Sequence, residues 1–110
     1  MHDLDWSASE KKIARRAYDA ALEKALAKIM AEFKARANAA ATPSDMWAVE
    51  KYLHEQRWEL DDFFRYRYSQ LLFIFARLIR EGHLDEASLA GLSQEKLAII
   101  RNILSSSVSG

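Results

Sequence analysis

Between Pro43 and Gly82 the chain contains neither glycine nor proline, the two residues that most readily interrupt a helix. Pro43 is the only proline, and Gly82 is the first of three glycines. Half of the 110 residues are hydrophobic, which is enough for a modest core in one domain. We therefore predict an all-α protein in which two long helices form a stalk and shorter helices form a small head.

The first long helix is predicted over residues 7–41. Ser7 and Glu10 have the spacing of a capping box, in which each side chain accepts a hydrogen bond from the other residue's N–H. Hydrophobic residues then recur every three or four positions along one face. This stripe consists of Ala14, Tyr18, Leu22, Leu26, Ile29 and Phe33. It is flanked by the small residues Ala17, Ala21 and Ala25, which would let a second helix approach closely.

A second long helix begins at Thr42, which is followed by proline at the first helical position and by Asp45 in the first turn. Unbroken as far as Glu81, it would be roughly 58 Å long at ~1.5 Å per residue. A compact domain of this size has a radius of gyration of only about 13 Å. The helix must therefore bend, or project and be covered by another molecule. We favour projection with a second copy as the cover, hence a homodimer, with a break near residues 65–67.

The chain beyond the break predicts a small helical head. Gly82 suits the left-handed position after a helix end, and Asp85 and Ser93 each precede a short helix. The last of these covers residues 94–104. Both can fold over residues 71–79, which are apolar almost all round. The predicted segments are an N-terminal arm (1–6), the first helix (7–41), a dimerisation and patch region (42–68), the head (69–104) and a disordered tail (105–110).

The second long helix has two different faces. One is apolar, as in an ordinary core, and holds Met46, Val49, Leu53, Leu60, Phe64, Leu71 and Leu78. The other, the mixed face, combines aromatic side chains with charges of both signs: Trp47, Lys51, His54, Trp58, Asp61, Arg65 and Tyr68. Either tryptophan alone is better explained by packing against the first helix. The whole mixed face favours a protein interface, where aromatic side chains supply much of the binding energy. We predict that the dimer interface contains Met46, Trp47, Val49, Leu53 and Leu60.

Arg57 lies within the apolar face, between Leu53 and Leu60. Its guanidinium must reach solvent or pair with a carboxylate. Asp61, four residues further on, is one candidate partner. A carboxylate of a second chain is the other, and the sequence leaves both open.

Composition argues against several other classes of protein. Sixteen Lys and Arg residues balance sixteen Asp and Glu residues, unlike the strongly basic surface of nucleic-acid-binding proteins. There are no cysteines, and Glu50 and His54 have the spacing Glu-x-x-x-His rather than the Glu-x-x-His of carboxylate-bridged metal sites. We find no nucleotide loop, nucleophile motif, signal peptide or membrane span. We expect a cytoplasmic, non-enzymatic protein without cofactor or metal, and with no nucleic-acid or membrane partner.

Short groups of residues follow a set order from Asp45 to about Ile103. They are Asp45, Met46 and Trp47; Arg57, Trp58, Glu59, Leu60 and Asp61; Arg67; Leu72, Phe73, Ile74, Phe75 and Ala76; Leu78; Glu81 and Gly82; Leu89, Ala90, Gly91 and Leu92; and Glu95, Lys96 and Leu97. In this order and spacing they resemble the fluorescence recovery protein family, small helical regulators of cyanobacterial photoprotection. The resemblance implies a homodimer built on the long helices, with a head at each end. It also implies that the dimer binds photoactivated orange carotenoid protein and speeds its return to the dark state.

The resemblance further implies roles for single residues. Trp47 and Arg57 match an aromatic and a basic residue of the family's functional patch, and Phe73 matches a head phenylalanine implicated in partner binding. Glu50 and Lys51 stand where the family pattern has His and Asp. We therefore predict a partner-binding patch of Trp47, Glu50, Lys51, His54, Arg57, Trp58 and Asp61, with head contacts at Phe73 and Ile99.

Two interpretations of the function stay open. In the first, the protein regulates the orange carotenoid protein or a related carotenoid-binding protein. In the second, it is a dimeric adaptor of the same kind for a different protein, with no activity on the carotenoid protein. Lys51 reverses a charge of the family's patch, and Ile99 replaces a lysine that the family's head can offer, so these two positions bear on the choice. The rate of dark recovery with and without the chain distinguishes the two.

Overall fold

A computed structural model of the chain describes residues 5–108, and these form an all-α fold. The helices are α1 (Ala8–Ala39), α2 (Pro43–Phe63), α3 (Leu71–Arg80) and α4 (Gln94–Val108), with a one-turn 3-10 helix, Glu86–Leu89, between α3 and α4. No strand occurs within residues 5–108. The predicted fold class is confirmed, whereas the homodimer, which a single chain does not test, stays a prediction.

Both long helices begin at the predicted caps. The Ser7 N–H donates to Glu10 Oε1 (3.1 Å), and the Glu10 N–H donates to Ser7 Oγ (3.2 Å). At α2, the Asp45 N–H donates to Thr42 Oγ1 (3.1 Å), while Asp45 Oδ2 accepts from the Thr42 N–H (3.2 Å). These bonds satisfy N–H groups that have no partner in the first turn of a helix. Short-range sequence therefore determines where each long helix starts.

The segment that follows Pro43 is not one helix. α2 ends at Phe63, residues 64–70 are not helical, and α3 begins at Leu71. Phe64 has a ψ of 83°, outside the helical region, although its N–H still donates to the Leu60 carbonyl (2.8 Å). The break includes residues 65–67, where the sequence predicts one, but it begins earlier and ends later. The predicted dimerisation region, 42–68, is consequently longer than the helix that carries it.

Residues 5–22 and 66–108 lie in one compact unit, here called the head unit. Its largest side chains without exposed surface come from α3, the 3-10 helix and α4: Leu71, Phe75, Leu78, Leu89 and Ile100. The first part of α1 belongs to this unit, which corrects the predicted head of residues 69–104. The reason lies in the alanines of α1. Ala14 and Ala21 are completely buried, because side chains this small allow other segments of the unit to pack directly on the helix.

Turns in the head unit lie close to their predicted positions. Gly82 has a φ of +80° just after α3, and Ser93 Oγ accepts from the Lys96 N–H (3.2 Å) at the start of α4. Asp85 precedes the 3-10 helix without a side-chain cap bond. α4 continues to Val108, so residues 105–108 are helical and the predicted disordered tail is wrong there, since no glycine or proline stops the helix. Residues 109–110 of that tail, and residues 1–4 of the predicted arm, lie outside the described residues.

Residues Glu23–Arg65 form a second unit, here called the hairpin unit, with the second part of α1 and all of α2. Near its turn, the Arg36 guanidinium lies 4.1 Å from the centroid of the Tyr52 ring. Ala25 is the only buried residue of this unit, and α2 buries none of its residues. In this unit the predicted apolar stripe of α1 is only partly covered: Ile29 and Phe33 are half-buried, and Leu26 is 46% exposed. Most of the apolar surface of the hairpin unit is therefore open to another molecule.

Candidate protein-binding surfaces

The central part of the mixed face lies on α2. Trp47, Lys51, His54, Trp58 and Asp61 follow one another at intervals of three or four residues, so their side chains lie along one side of the helix. All five are exposed, Trp47 to 59% and Trp58 to 69%. Neither tryptophan is buried against α1, which was the simpler explanation for each of them alone.

The mixed face is shorter than the sequence predicts. Arg65 and Tyr68 lie beyond Phe63, the last residue of α2, so they do not continue its helical spacing. The Tyr68 ring instead contacts aromatic rings of the head unit. On α2 the mixed face therefore ends at Asp61.

Glu50 and Arg57, the other residues of the predicted patch, are also exposed on α2. Among the described residues, the Arg57 guanidinium forms no ion pair. The intrahelical pair with Asp61 is therefore absent from the single chain. Arg57 extends into solvent, where a carboxylate of another molecule can reach it.

Four of the five predicted dimer residues lie on the apolar face of α2, and the fifth, Trp47, lies on the mixed face. Val49, Leu53 and Leu60 are half-buried, whereas Met46 is 52% exposed and Trp47 is 59% exposed. No side chain of α2 is fully covered within its own chain. The face is thus apolar and incompletely buried, as a surface that packs against a second helix would be before association.

The predicted head contacts lie in the other unit, on α3 and α4. Phe73 is 61% exposed, although every other residue from Leu71 to Ala76 is buried. Ile99 of α4 is half-buried. Phe73 is thus an exposed aromatic side chain on a helix whose other apolar residues form the core. The two predicted surfaces, on α2 and on the head, belong to separate units.

Two features of the head unit were not predicted from sequence, and the first is a buried ion pair. Lys96 Nζ lies 3.2 Å from Glu10 Oε1, and their side chains are 4% and 10% exposed. Glu10 also accepts from the Ser7 N–H through Oε1 and from the Ser93 N–H through Oε2 (2.8 Å). The Ser7 N–H lowers the pKa of Glu10 most, and the Ser93 N–H and Lys96 lower it further against the opposing effect of burial. The sequence signal was weak, because the partners lie 86 positions apart.

The second feature is a chain of aromatic rings, here called the ring cluster, made of Trp6, Tyr18, Tyr66 and Tyr68. Burial, and after it the neighbouring Tyr68 hydroxyl, raise the pKa of Tyr66 to about 12. Burial also raises the pKa of Tyr18. The sequence signal was the pair of tyrosines at the helix break, of which only Tyr68 was included in a prediction, as part of the mixed face.

Residues 5–108 contain neither a candidate membrane span nor a candidate metal site. No helix there is both long enough and apolar enough to cross a membrane. Within the same residues, no three His, Asp or Glu side chains are grouped so that they could bind a metal ion.

Fold and surfaces together define a small helical protein whose second helix presents an exposed aromatic and charged face. Residues 6–104 match the family described as photoprotection regulator fluorescence recovery protein. The protein belongs to this family, and the resemblance found in its sequence is confirmed.

Individual relatives agree with this assignment. The fluorescence recovery protein of Synechocystis sp. (strain ATCC 27184 / PCC 6803 / Kazusa) is 28% identical over 99 residues, which cover 90% of this chain and 91% of that protein. The structure of the Fremyella diplosiphon fluorescence recovery protein is similar with a TM-score of 0.86 and 32% identity, covering 90% of this chain and 97% of the other. The Synechocystis structure gives the same TM-score and coverage at 27% identity.

Proposed function

We propose that this protein is a cytoplasmic homodimer that binds photoactivated orange carotenoid protein, or a related carotenoid-binding protein, and accelerates its return to the dark state. Its family regulates photoprotection. The observation that most directly supports a binding role is the state of α2. This helix buries none of its residues and carries two tryptophans that are each more than half exposed.

Self-association is the first binding event that we propose for α2. In a two-fold dimer the same surface occurs on both partners, so it must be complementary to itself. The apolar face supplies Val49, Leu53 and Leu60 for mutual burial. The charged residues Lys51 and Asp61 lie on the mixed face, away from this apolar contact, so the proposed dimer leaves them open to a partner.

Partner binding is proposed for the exposed residues that the dimer leaves free, and for the head. Arg57 and Trp58 supply a cation and a large aromatic side chain, which are typical anchors of protein interfaces. Phe73 and Ile99 supply apolar contacts on the head. The action needs no bond chemistry, because a protein speeds a partner's relaxation if it binds the reassembling form more tightly than the separated form.

The direct test is the dark-recovery rate of purified, photoactivated orange carotenoid protein at increasing concentrations of this chain. We expect the rate to rise and then saturate as the complex fills. The variant Phe73→Ala should lower the saturating rate or the apparent affinity while the protein remains folded, because the exposed ring contributes no core packing. An unchanged rate at saturating wild-type protein would refute regulation of the carotenoid protein tested.

The dimer is tested separately by sedimentation or light scattering of Leu53→Glu. The charge is tolerated by a half-buried position in a single chain but not between two helices, so we expect a helical monomer. Leu78→Glu is the matched control, because Leu78 is completely buried in the head unit and its replacement should unfold that unit. A Leu53→Glu protein that unfolds would assign Leu53 to the core of the single chain. One that stays dimeric would exclude this face as the interface.

A dimeric adaptor for a different protein is the alternative, and the observation in its favour is the exposed charge of Lys51. If this charge prevents binding, Lys51→Asp should create or increase acceleration of dark recovery. If the wild-type dimer and Lys51→Asp are both inactive while Leu53→Glu is monomeric, dimerisation holds and the carotenoid protein is not the partner. The two parts of the proposal can therefore fail independently.

A further inference from the structure

The segment between α2 and α3 is held by side chains more than by backbone hydrogen bonds. Within residues 5–108, the N–H groups of Tyr66 and Tyr68 make no backbone hydrogen bond, and the turn before α3 depends on the Gln70 N–H donating to the Arg67 carbonyl (2.8 Å). A short non-helical segment with so few backbone bonds opens readily unless its side chains are fixed.

The ring cluster provides this fixing. The Tyr66 ring lies edge-on to Tyr18 of α1, with centroids 4.9 Å apart. Tyr66 also contacts Tyr68 at 5.5 Å, and Tyr68 contacts Trp6 at 5.5 Å. These separations and tilted angles are those of favourable aromatic pairs. The cluster therefore connects residues 66–68 to α1 at one end and to the segment that precedes α1 at the other.

Cations lie over all four rings, and over Tyr18 the Arg15 Cζ is 5.7 Å from the ring centroid. Arg15 Cζ is 4.6 Å from the Tyr66 centroid, and Lys11 Nζ is 5.5 Å from that of Tyr68. Lys96 Nζ is 4.9 Å from the Trp6 ring and also donates to the Asp5 carbonyl. Because Lys96 is fixed by the buried pair described above, the position of Trp6 is set by the head core.

The two ends of the cluster differ in how firmly they are held. Tyr18 is buried in the middle of α1, whose backbone ladder fixes it. Trp6 is half-buried and precedes the first helical residue, Ala8. Among residues 5–108 it is held by its ring contacts with Tyr68 and Lys96 and by the bond from Lys96 to the neighbouring Asp5 carbonyl. Release is therefore easier at Trp6 than at Tyr18.

We propose that Trp6 is a latch for the segment joining α2 to α3. Seated between Lys96 and Tyr68, it keeps Tyr68 and Tyr66 on α1; when it leaves, the two tyrosines leave together while the core of the head unit stays folded. The segment joins the helix of the proposed dimer surface to the helix that carries Phe73. The latch thus controls how readily residues 66–70 open, whatever partner the protein binds.

Trp6→Leu in the full chain tests the proposal by native-state hydrogen exchange and tyrosine titration. One lost ring contact should raise exchange of the Gln70 N–H roughly two- to tenfold, because a pair of this kind shifts an equilibrium by about that factor. Exchange at Phe75 and Leu78 in the α3 core should stay unchanged. The titration of Tyr66 should move down toward its ordinary range, since the phenol becomes accessible.

Phe73→Leu is the matched control, an exposed aromatic residue of the same unit, and should leave the Gln70 exchange rate unchanged. Tyr68→Leu removes the other ring of the Trp6–Tyr68 contact and should reproduce the effect of Trp6→Leu, which keeps the test valid if one variant folds poorly. Unchanged exchange at Gln70 in both variants would overturn the latch. So would an equal rise at Phe75 and Leu78, or a normal Gln70 exchange rate with only Tyr66 titration altered.

Discussion

Replacing Lys96 by methionine tests whether the buried ion pair holds the head unit together. Methionine has nearly the length and apolar surface of the lysine stem but no ammonium group. The substitution removes the hydrogen bonds to Glu10 and to the Asp5 carbonyl, and the cation over the Trp6 ring. Glu10 remains buried, and keeps the Ser7 and Ser93 N–H groups as donors.

The size of the effect follows from these contacts. Breaking a buried pair by removing one partner costs about 3–5 kcal/mol when the other charge is left without compensation. Here two backbone donors remain on Glu10, so the loss is closer to one charge-assisted hydrogen bond, about 1.5–3 kcal/mol, plus the bond to the Asp5 carbonyl at about 1 kcal/mol. We expect the free energy of unfolding to fall by about 3 kcal/mol, a large part of the ~5–15 kcal/mol typical of a domain.

Urea denaturation followed by circular dichroism measures this change, at one fixed protein concentration because a dimer's stability depends on concentration. Arg101→Met is the matched control. Arg101 also pairs with a glutamate, Glu86, at 3.1 Å, but the two side chains are 59% and 41% exposed, so the loss should stay below about 1 kcal/mol. Equal losses for Lys96→Met and Arg101→Met would refute the reasoning from burial. The double variant Glu10→Gln with Lys96→Met should lose less than the two single variants summed.

Three further predictions concern the head unit. Gly91→Ala and Gly82→Ala should each destabilise by about 1–2 kcal/mol in thermal or urea unfolding, because their φ values of +106° and +80° are strained for alanine. At Gly91 the new Cβ would also lie 2.5 Å from Ile13 Cδ1, the end of a flexible side chain that must shift, so we expect a further loss of about 1 kcal/mol there. Equal losses would count against the close packing. The pKa of Glu10 is lowered in the folded protein, so its charged form adds to the free energy of unfolding above the unfolded pKa of 4.5, and this stability is lost as pH falls through the folded pKa. In urea unfolding at a series of acidic pH values, Glu10→Gln should therefore lose less stability on acidification than the wild type. The same loss in both proteins would contradict this. Tyr66 should titrate near pH 12 in a spectrophotometric titration. Its raised pKa gives stability that is fully present below pH 10 and is lost as pH rises through 12. Ionisation of every tyrosine near pH 10 would show that Tyr66 is not buried.

Helix starts were predictable because each depends on residues three or four apart. The Ser7–Glu10 and Thr42–Asp45 bonds are contacts of this short range. The break in the second long helix was predicted only from its length, because an unbroken helix would be too long for a compact domain. Within the break, Tyr66 and Tyr68 contact the rings of Tyr18 and Trp6, which are far away in the chain, and no local pattern reveals such contacts.

The head unit was harder to predict, because its core uses residues that looked unremarkable in sequence. Ala14 and Ala21 were assigned to a stalk, yet both are completely buried in the head unit. Their small size indicated close packing but not which segment would pack on them. Lys96 gave only a weak signal, since a lysine in the first turn of a helix is ordinarily solvated. On the mixed face, the exposure of Trp47 and Trp58 agrees with the interface expected from the sequence. The binding roles of the residues on this face remain predictions.

Residues that stabilise the fold and residues proposed for binding lie mostly in different units, so folding, dimerisation and partner binding can be tested with different substitutions. The head unit contains nearly all the buried side chains of the described chain, so substitutions there, such as Lys96→Met, should be read first as losses of folding stability. The hairpin unit buries only Ala25, so substitutions on α2, such as Leu53→Glu, should change association with little loss of helix in the single chain. Phe73 differs from the other large apolar residues near it, because it is exposed although most residues of its helix, α3, are buried. If it acts only in partner binding, Phe73→Ala should change the dark-recovery rate without changing either the urea midpoint or the dimer mass, a combination that neither a folding defect nor a dimerisation defect can produce.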